Sequence, residues 1–391
     1  MSALPRKLWN RAQELLPVRG FFFDRPLVLL QSDDWGRVGL QDQEGFDRLM
    51  AAGLKLGERS YDFYTLETAD DVNALSTLLK AHHDSTGRPA CLGMNFLTAN
   101  LDFAKMGDFR EIKLLSLADG LPKNWKRPGL FEAYHAGIES GVFYPALHGT
   151  THFSCSAVER HLMDEGERGK LLRTLWSAGD PYIHWRMPWI GYEYWDPENP
   201  DGESFLSLAG QAEKIGWAVG SFAKLFSRLP RSACAPGYRA NQDTITAYGR
   251  YGIRVSQNGA RALVPPHFDG NEVLEVYRTV DLEPAVAENF SLKACLKAAD
   301  RAFALGLPAI VSVHSINFHS SVKDYRSKTL DALDQFLTAL EQKYSNLLYL
   351  HDEDLWQLVQ TGAYPTDSRP MRVVVTKKRV SRRGIRTEVE D

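Results

Sequence analysis

Two adjacent carboxylates, Asp33 and Asp34, close a run that begins Leu27-Val28-Leu29-Leu30 and precede a Trp35-Gly36 turn. The aliphatic run is short and reads as a buried strand of a parallel sheet. Two like charges at the mouth of such a strand are costly unless a cation offsets them. His148 and His152, four residues apart, follow a second apolar run over 142–147. On a helical turn they would share one face and grip one metal ion. His314 ends a third apolar run, 309–313. Two imidazoles and one carboxylate make a catalytic zinc set with a position left for water, which becomes hydroxide-like near neutral pH. If one aspartate is a ligand, its neighbour can take the water's proton, and His314 can supply one to a leaving group. Singly, the aspartates read as an exposed turn and His314 as a core histidine. Their shared position at strand ends is what joins them.

The elements around them alternate. Helices are predicted over 42–52, 69–83, 129–141, 204–216, 241–251, 292–305 and 327–344, with mostly helical chain over 154–186. Strands are predicted over 27–32, 89–96, 142–147, 253–256, 273–280, 308–314 and 347–350. This alternation implies a parallel α/β architecture, and a barrel is preferred because its chemistry gathers at the C-terminal ends of strands. The expected organisation is an N-terminal amphipathic helix (1–20), a barrel (21–365) with insertions near 97–140 and 155–230, and a charged, loose tail (366–391).

Of the 391 residues, 44% are hydrophobic and 24% charged, ordinary for a soluble globular protein. A net charge of −3 disfavours a globally basic nucleic-acid binder. Cys91, Cys155, Cys234 and Cys295 are widely spaced and read as free thiols of a reducing compartment. The first 18 residues lack a continuous apolar core and a small-residue cleavage site, so a cytoplasmic location is expected. Their Arg6, Lys7 and Arg11 among leucines suit a helix packed on the body, with an anionic membrane surface as the alternative. An aromatic loop with Tyr182, His184, Trp185, Trp189, Tyr192, Tyr194 and Trp195 is the candidate substrate-recognition surface, with core packing as the alternative.

The order strand-Asp-Asp-x-Gly, His-x-x-x-His, an Ala-Pro loop and strand-x-His resembles the polysaccharide deacetylase family, the NodB homology domain of carbohydrate esterase family 4. The resemblance spans about 27–355 and implies a distorted (β/α) barrel that removes N- or O-acetyl groups from sugars with one divalent metal ion, by default zinc. It implies Asp33 as general base, Asp34, His148 and His152 as metal ligands, and His314 as general acid. Pro236, Gly237, Tyr238 and Arg239 would line the groove with Trp185 and Trp189, and backbone N–H groups near Tyr238 would hold the oxyanion. The chain departs from the family pattern in four places, one of them a longer gap between Asp34 and His148 than in compact members. Trp35 displaces the glycine of the first motif. Cys234 stands where an arginine usually braces the base, leaving Arg239 or Arg186 as substitutes. No aspartate-tryptophan motif is present to tune the acid histidine. The rival readings are a glycoside hydrolase of the same superfamily, with Glu193 as second carboxylate, and a silent carbohydrate-binding protein.

Overall fold

The computed structural model describes residues 17–106, 111–180, 184–200, 202–259, 263–270, 272–366, 369–381 and 384. The strands that frame the site are β1 (Pro17–Phe23), β2 (Leu27–Trp35), β3 (Leu92–Leu97), β4 (Phe143–Gly149), β5 (Ser232–Cys234), β6 (Val255–Asn258), β7 (Leu274–Tyr277), β8 (Val280–Asp281), β9 (Ala309–His314), β10 (Leu348–Tyr349) and β11 (Val375–Ser381). Between them run α1 (Gln43–Ala51), α2 (Ala69–Ala81), α3 (Leu130–Glu139), α4 (Cys155–Leu162), α5 (Glu167–Ser177), α6 (Leu208–Phe226), α7 (Gln242–Arg250), α8 (Leu292–Ala304), α9 (Arg326–Lys343) and α10 (Asp352–Thr361).

The result is a mixed α/β fold on a parallel-rich sheet. Pairing runs β8-β9-β2-β3-β4-β5-β6-β7 in parallel, then continues antiparallel through His267–Phe268, β1 and β11. β2 lies third in this order, flanked by parallel neighbours, and is buried along its whole length. That burial is why it reads as a near-continuous apolar run instead of an alternating one. β7 and β8 are separated only by Arg278 and Thr279. One stretch of chain therefore pairs with β6 by its first half (Leu274↔Val255) and with β9 by its second (Val280↔Val311).

Helix positions follow the expected periodicity. In α2, Val72, Leu75 and Leu79 are fully buried in the main core. Its start is fixed by a capping box: Thr68 Oγ1 accepts from Asp71 N at 3.1 Å and Asp71 Oδ2 accepts from Thr68 N at 2.9 Å. Such caps contribute about 1 kcal/mol. α6 is longer than predicted, because its apolar face continues through Phe222 and Phe226 into the main core.

The chain ends differ from expectation. Residues 1–16, and with them most of the N-terminal amphipathic helix, lie outside the described residues; from Pro17 the chain is strand. The charged C-terminal stretch includes β11, which pairs antiparallel with β1 from Pro17↔Ser381 to Phe23↔Val375. β11 is largely exposed and carries Lys377, Lys378 and Arg379. Charged side chains suit an edge strand, whose ladder needs few apolar contacts of its own. Among the described residues, no helix is long and apolar enough to cross a membrane.

Candidate metal centre and catalytic cluster

Neighbouring residues of a regular strand face opposite sides of a sheet. Asp33 and Asp34 escape this because the β2–β3 register slips by one residue between Ser32 and Trp35. At this bulge Asp34 takes φ 74°, the left-handed region that non-glycine residues rarely enter. Its carbonyl is held there by the Tyr64 hydroxyl at 2.8 Å and the Ser315 hydroxyl at 3.3 Å. Strain of this kind persists only where surrounding contacts impose it, and it collects at functional sites. Trp35 turns inward, stacks on Phe318 and is fully buried. The Trp-Gly turn is therefore a core anchor, with Gly36 at φ 71° donating its N–H to Glu67 Oε1 at 2.9 Å.

The two histidines meet by a route other than a helical face. His148 lies near the end of β4, Gly149 turns the chain at φ 102°, and His152 follows in the loop before α4. A side chain at Gly149 would place its Cβ 2.1 Å from Glu193 Oε2. The buried Glu193 carboxylate accepts from Thr150 N at 3.1 and 2.9 Å, which ties down the loop between the histidines. Burial pushes its carboxyl up. Glu193, the second carboxylate of the glycoside hydrolase reading, thus braces this turn.

Asp34 Oδ1 lies 3.6 Å from His148 Nε2 and 3.4 Å from His152 Nε2. Ligand atoms of these three residues all fall within 4.8 Å of one another. His148 Nδ1 is 2.9 Å from the Cys234 carbonyl oxygen, which can only accept, so Nδ1 carries the proton and Nε2 a lone pair. Neither His148 Nε2 nor Asp34 Oδ1 has a hydrogen-bond partner among the described residues, and both are buried. Two buried lone pairs facing each other are unfavourable unless a cation sits between them. The set fits a divalent ion, and nitrogen and carboxylate donors suit zinc. Arg37 Nη1 stands 3.2 Å from the same Asp34 oxygen. Burial would raise the Asp34 carboxyl, but His152 and Arg37 beside it hold it well below the usual carboxylate range.

Asp33 is engaged on both oxygens. Oδ1 accepts from Arg278 Nη2 and from Asn95 Nδ2, each at 2.6 Å. Oδ2 accepts from the Tyr238 hydroxyl at 3.0 Å and faces His314 Nε2 at 3.8 Å. The β9–β2 register sets His314 directly beside Asp33. Burial would raise the Asp33 carboxyl; the Arg278 guanidinium first, with His314, outweighs it and holds the carboxyl well below the usual range. On its far side His314 Nδ1 meets Glu283 Oε1 at 2.7 Å, and Glu283 Oε2 accepts from His314 N at 3.2 Å and Asn317 Nδ2 at 2.5 Å. Burial would lower the His314 pKa, but Glu283 dominates with Asp33 and Asp34, and the ring is pushed up to about 9. At neutral pH His314 is a proton donor.

Arg278 and Glu283 were missed in sequence. Arg278 sits where the chain changes partner between β7 and β8, and Glu283 lies just beyond β8, so both obey the strand-end rule that exposed the other residues. The brace of Asp33 is Arg278. Arg186 instead points at Asp62, and Arg239 stacks over Trp195 at 4.6 Å and Tyr192 at 5.9 Å.

The groove residues divide. Pro236, Gly237 and Tyr238 form a tight turn beside Gly149, with φ 60° at Gly237 and 56° at Tyr238. Tyr238 N donates to Ala235 O at 2.8 Å and Arg239 N to Pro236 O at 3.2 Å, so the turn itself uses the amides expected to hold an oxyanion. Tyr238 contributes its hydroxyl instead. Trp185 donates Nε1 to Asp62 Oδ1 at 2.9 Å, and Trp189 packs edge-on to His161 in the second core cluster. Both indoles are held by these contacts. The aromatic loop reaches the cluster through Tyr192, whose ring meets His152 edge-on at 5.5 Å.

The class defined so far is a mixed α/β protein with a buried Asp–His cluster at the ends of parallel strands. No protein-family model and no curated protein matches the chain. Solved structures that it resembles include polysaccharide deacetylases and members of carbohydrate esterase family 4. A probable polysaccharide deacetylase from Pseudomonas aeruginosa PAO1 is 12% identical over 86% of this chain and 92% of that one, with a TM-score of 0.45. A family 4 carbohydrate esterase from Streptomyces lividans, in complex with acetate, is 13% identical over 84% and 92%, with a TM-score of 0.36. A CE4 family pseudoenzyme from Bacillus anthracis is 12% identical over 87% and 68%, with a TM-score of 0.37.

Proposed function

We propose that the protein is a metal-dependent hydrolase that removes an acetyl group from an N- or O-acetylated sugar or polysaccharide intermediate. The observation that carries this reading is the meeting of Asp34 Oδ1 with Nε2 of both His148 and His152, beside a separately braced Asp33 and a His314 backed by Glu283. Asp34, His148 and His152 would hold one divalent ion, zinc by ligand type. Bound there, the ion supplies a Lewis acid for a carbonyl oxygen and lowers the pKa of water.

The remaining chemistry belongs to the chain. Asp33 Oδ2, directed by the Tyr238 hydroxyl, takes the proton of the attacking water. Arg278 and Asn95 occupy Oδ1, which leaves Oδ2 as the working oxygen. His314 delivers its Nε2 proton to the departing amine or hydroxyl, and Glu283 stabilises the protonated ring. The choice of an acetylated sugar rests on the order of the four motifs in the chain. The pairing of 274–277 with β6 and of 280–281 with β9 supports reading the parallel strands as a distorted seven-stranded barrel, closed by that shared stretch. Tyr192 and Arg239 flank the proposed sugar groove. Four unpaired cysteines support a reducing, cytoplasmic compartment.

Acetate release from acetylated amino sugars and O-acetylated oligosaccharides, with and without chelator, tests the proposal. Release that stops on chelation supports it. Release that survives chelation, or cleavage of glycosidic bonds in place of acetate release, overturns it.

A further inference from the structure

The inside of a strand barrel is ordinarily filled by branched apolar side chains. Here polar side chains from five strands and one helix run inward from Asp33. Gln31 of β2, Asn95 of β3, Ser232 of β5, Gln257 of β6 and Ser312 of β9 are each almost fully buried, as is Arg278. The chain of contacts ends on Asp352, the first residue of α10, which is 1% exposed. Its Oδ1 accepts from Gln31 Nε2 at 2.7 Å; its Oδ2 accepts from Gln257 Nε2 at 2.7 Å and Ser232 Oγ at 2.8 Å.

The opposite ends of the two glutamines face Arg278. Gln31 Oε1 accepts from Arg278 Nε at 3.3 Å, and Gln257 Oε1 accepts from Arg278 Nη2 at 3.4 Å. A guanidinium only donates and a carboxylate only accepts, so each amide has one permitted orientation. That polarity passes onward. Gln257 Oε1 also accepts from Asn95 Nδ2 at 2.7 Å, and Gln257 Nε2 donates to Asn95 Oδ1 at 3.0 Å, which leaves Asn95 Nδ2 facing Asp33. Arg278 and the Asp352 carboxyl, whose pKa burial raises against the hydrogen bonds from Ser232, Gln31 and Gln257, are thus joined through two amides set in the same sense.

We propose that Asp352 is a positioning residue for Asp33: through Gln31 and Gln257 it fixes Arg278 and Asn95 as donors to the base. The inference rests on the catalytic reading of Asp33, although the coupling of Asp352 to Arg278 stands apart from any activity. Asp352→Asn keeps the volume but offers only one acceptor oxygen, so the amides lose their single orientation. Small displacements of a catalytic group cost large rate factors.

Two measurements on the full chain test it. In acetate release, Asp352→Asn lowers kcat by at least about tenfold with KM within about twofold and metal content unchanged; a structural defect would lower metal content or raise KM with it. In denaturant unfolding, the midpoint shift from Asp352→Asn is smaller in an Arg278→Met background than in the native chain. Gln31→Leu, which removes one bridge only, gives the same pattern at reduced size and serves if Asp352→Asn does not fold. Native kcat in these variants, or additive midpoint shifts, overturns the proposal. A native chain that releases no acetate counts against the function alone, and the unfolding cycle then decides the coupling.

Discussion

Arg278 donates from Nη2 to Asp33 Oδ1 at 2.6 Å, with both side chains sealed from solvent. Removing one partner of a buried pair leaves an uncompensated charge and costs about 3–5 kcal/mol. Arg278→Met is therefore expected to lower unfolding stability by about that amount and to abolish turnover. Arg278→Lys keeps the charge but cannot reach Asp33, Tyr238, Ser312 and Gln31 together, so stability recovers more than activity does. Equilibrium unfolding and acetate release measure the two effects separately.

The Glu283–His314 pair sets a pH limit. His314 must be protonated to act as the acid, and its pKa is pushed up to about 9, so the rate falls as pH rises through that value. Glu283→Gln removes the largest raising influence, and the ring drops toward the ordinary histidine value near 6.5. The basic limb of the kcat profile therefore moves to lower pH. An unmoved limb would exclude His314 as the titrating acid.

Gly149 permits the turn that brings the histidines together. Gly149→Ala introduces a Cβ 2.1 Å from Glu193 Oε2 at a positive φ, displacing the carboxylate that holds Thr150 N. Metal affinity is expected to fall about 10–100-fold, the range seen when support around ligands is lost. Competition against a chromophoric chelator measures it.

Trp189 was read as a sugar platform and is a core residue at 9% exposure. Trp189→Ala is expected to cost about 3–5 kcal/mol of stability. Oligosaccharide affinity, measured by calorimetry below the melting temperature, stays near that of the native chain.

What could be read in sequence follows from local chemistry. Asp33, Asp34, His148 and His314 each end or nearly end an apolar run, so their strands reveal them. Arg278 follows Leu-Glu-Val-Tyr, which reads as an ordinary half-buried strand; its burial arises because the chain changes partner there, a nonlocal fact. Glu283 is equally dependent on β9 arriving beside it. Loop composition likewise marks 182–195 as aromatic without telling which rings face inward. Spacing suggested a helical face for His148 and His152, whereas Gly149 at φ 102° makes the turn.

The proposed function divides the labour between neighbouring carboxylates, Asp34 as ligand and Asp33 as base. Metal content and acetate release of Asp33→Asn and His148→Ala test it most directly. Asp33→Asn is expected to hold one divalent ion per chain and show no turnover, and His148→Ala to have neither metal nor turnover. Native turnover in Asp33→Asn, or a full complement of metal in His148→Ala, would contradict it.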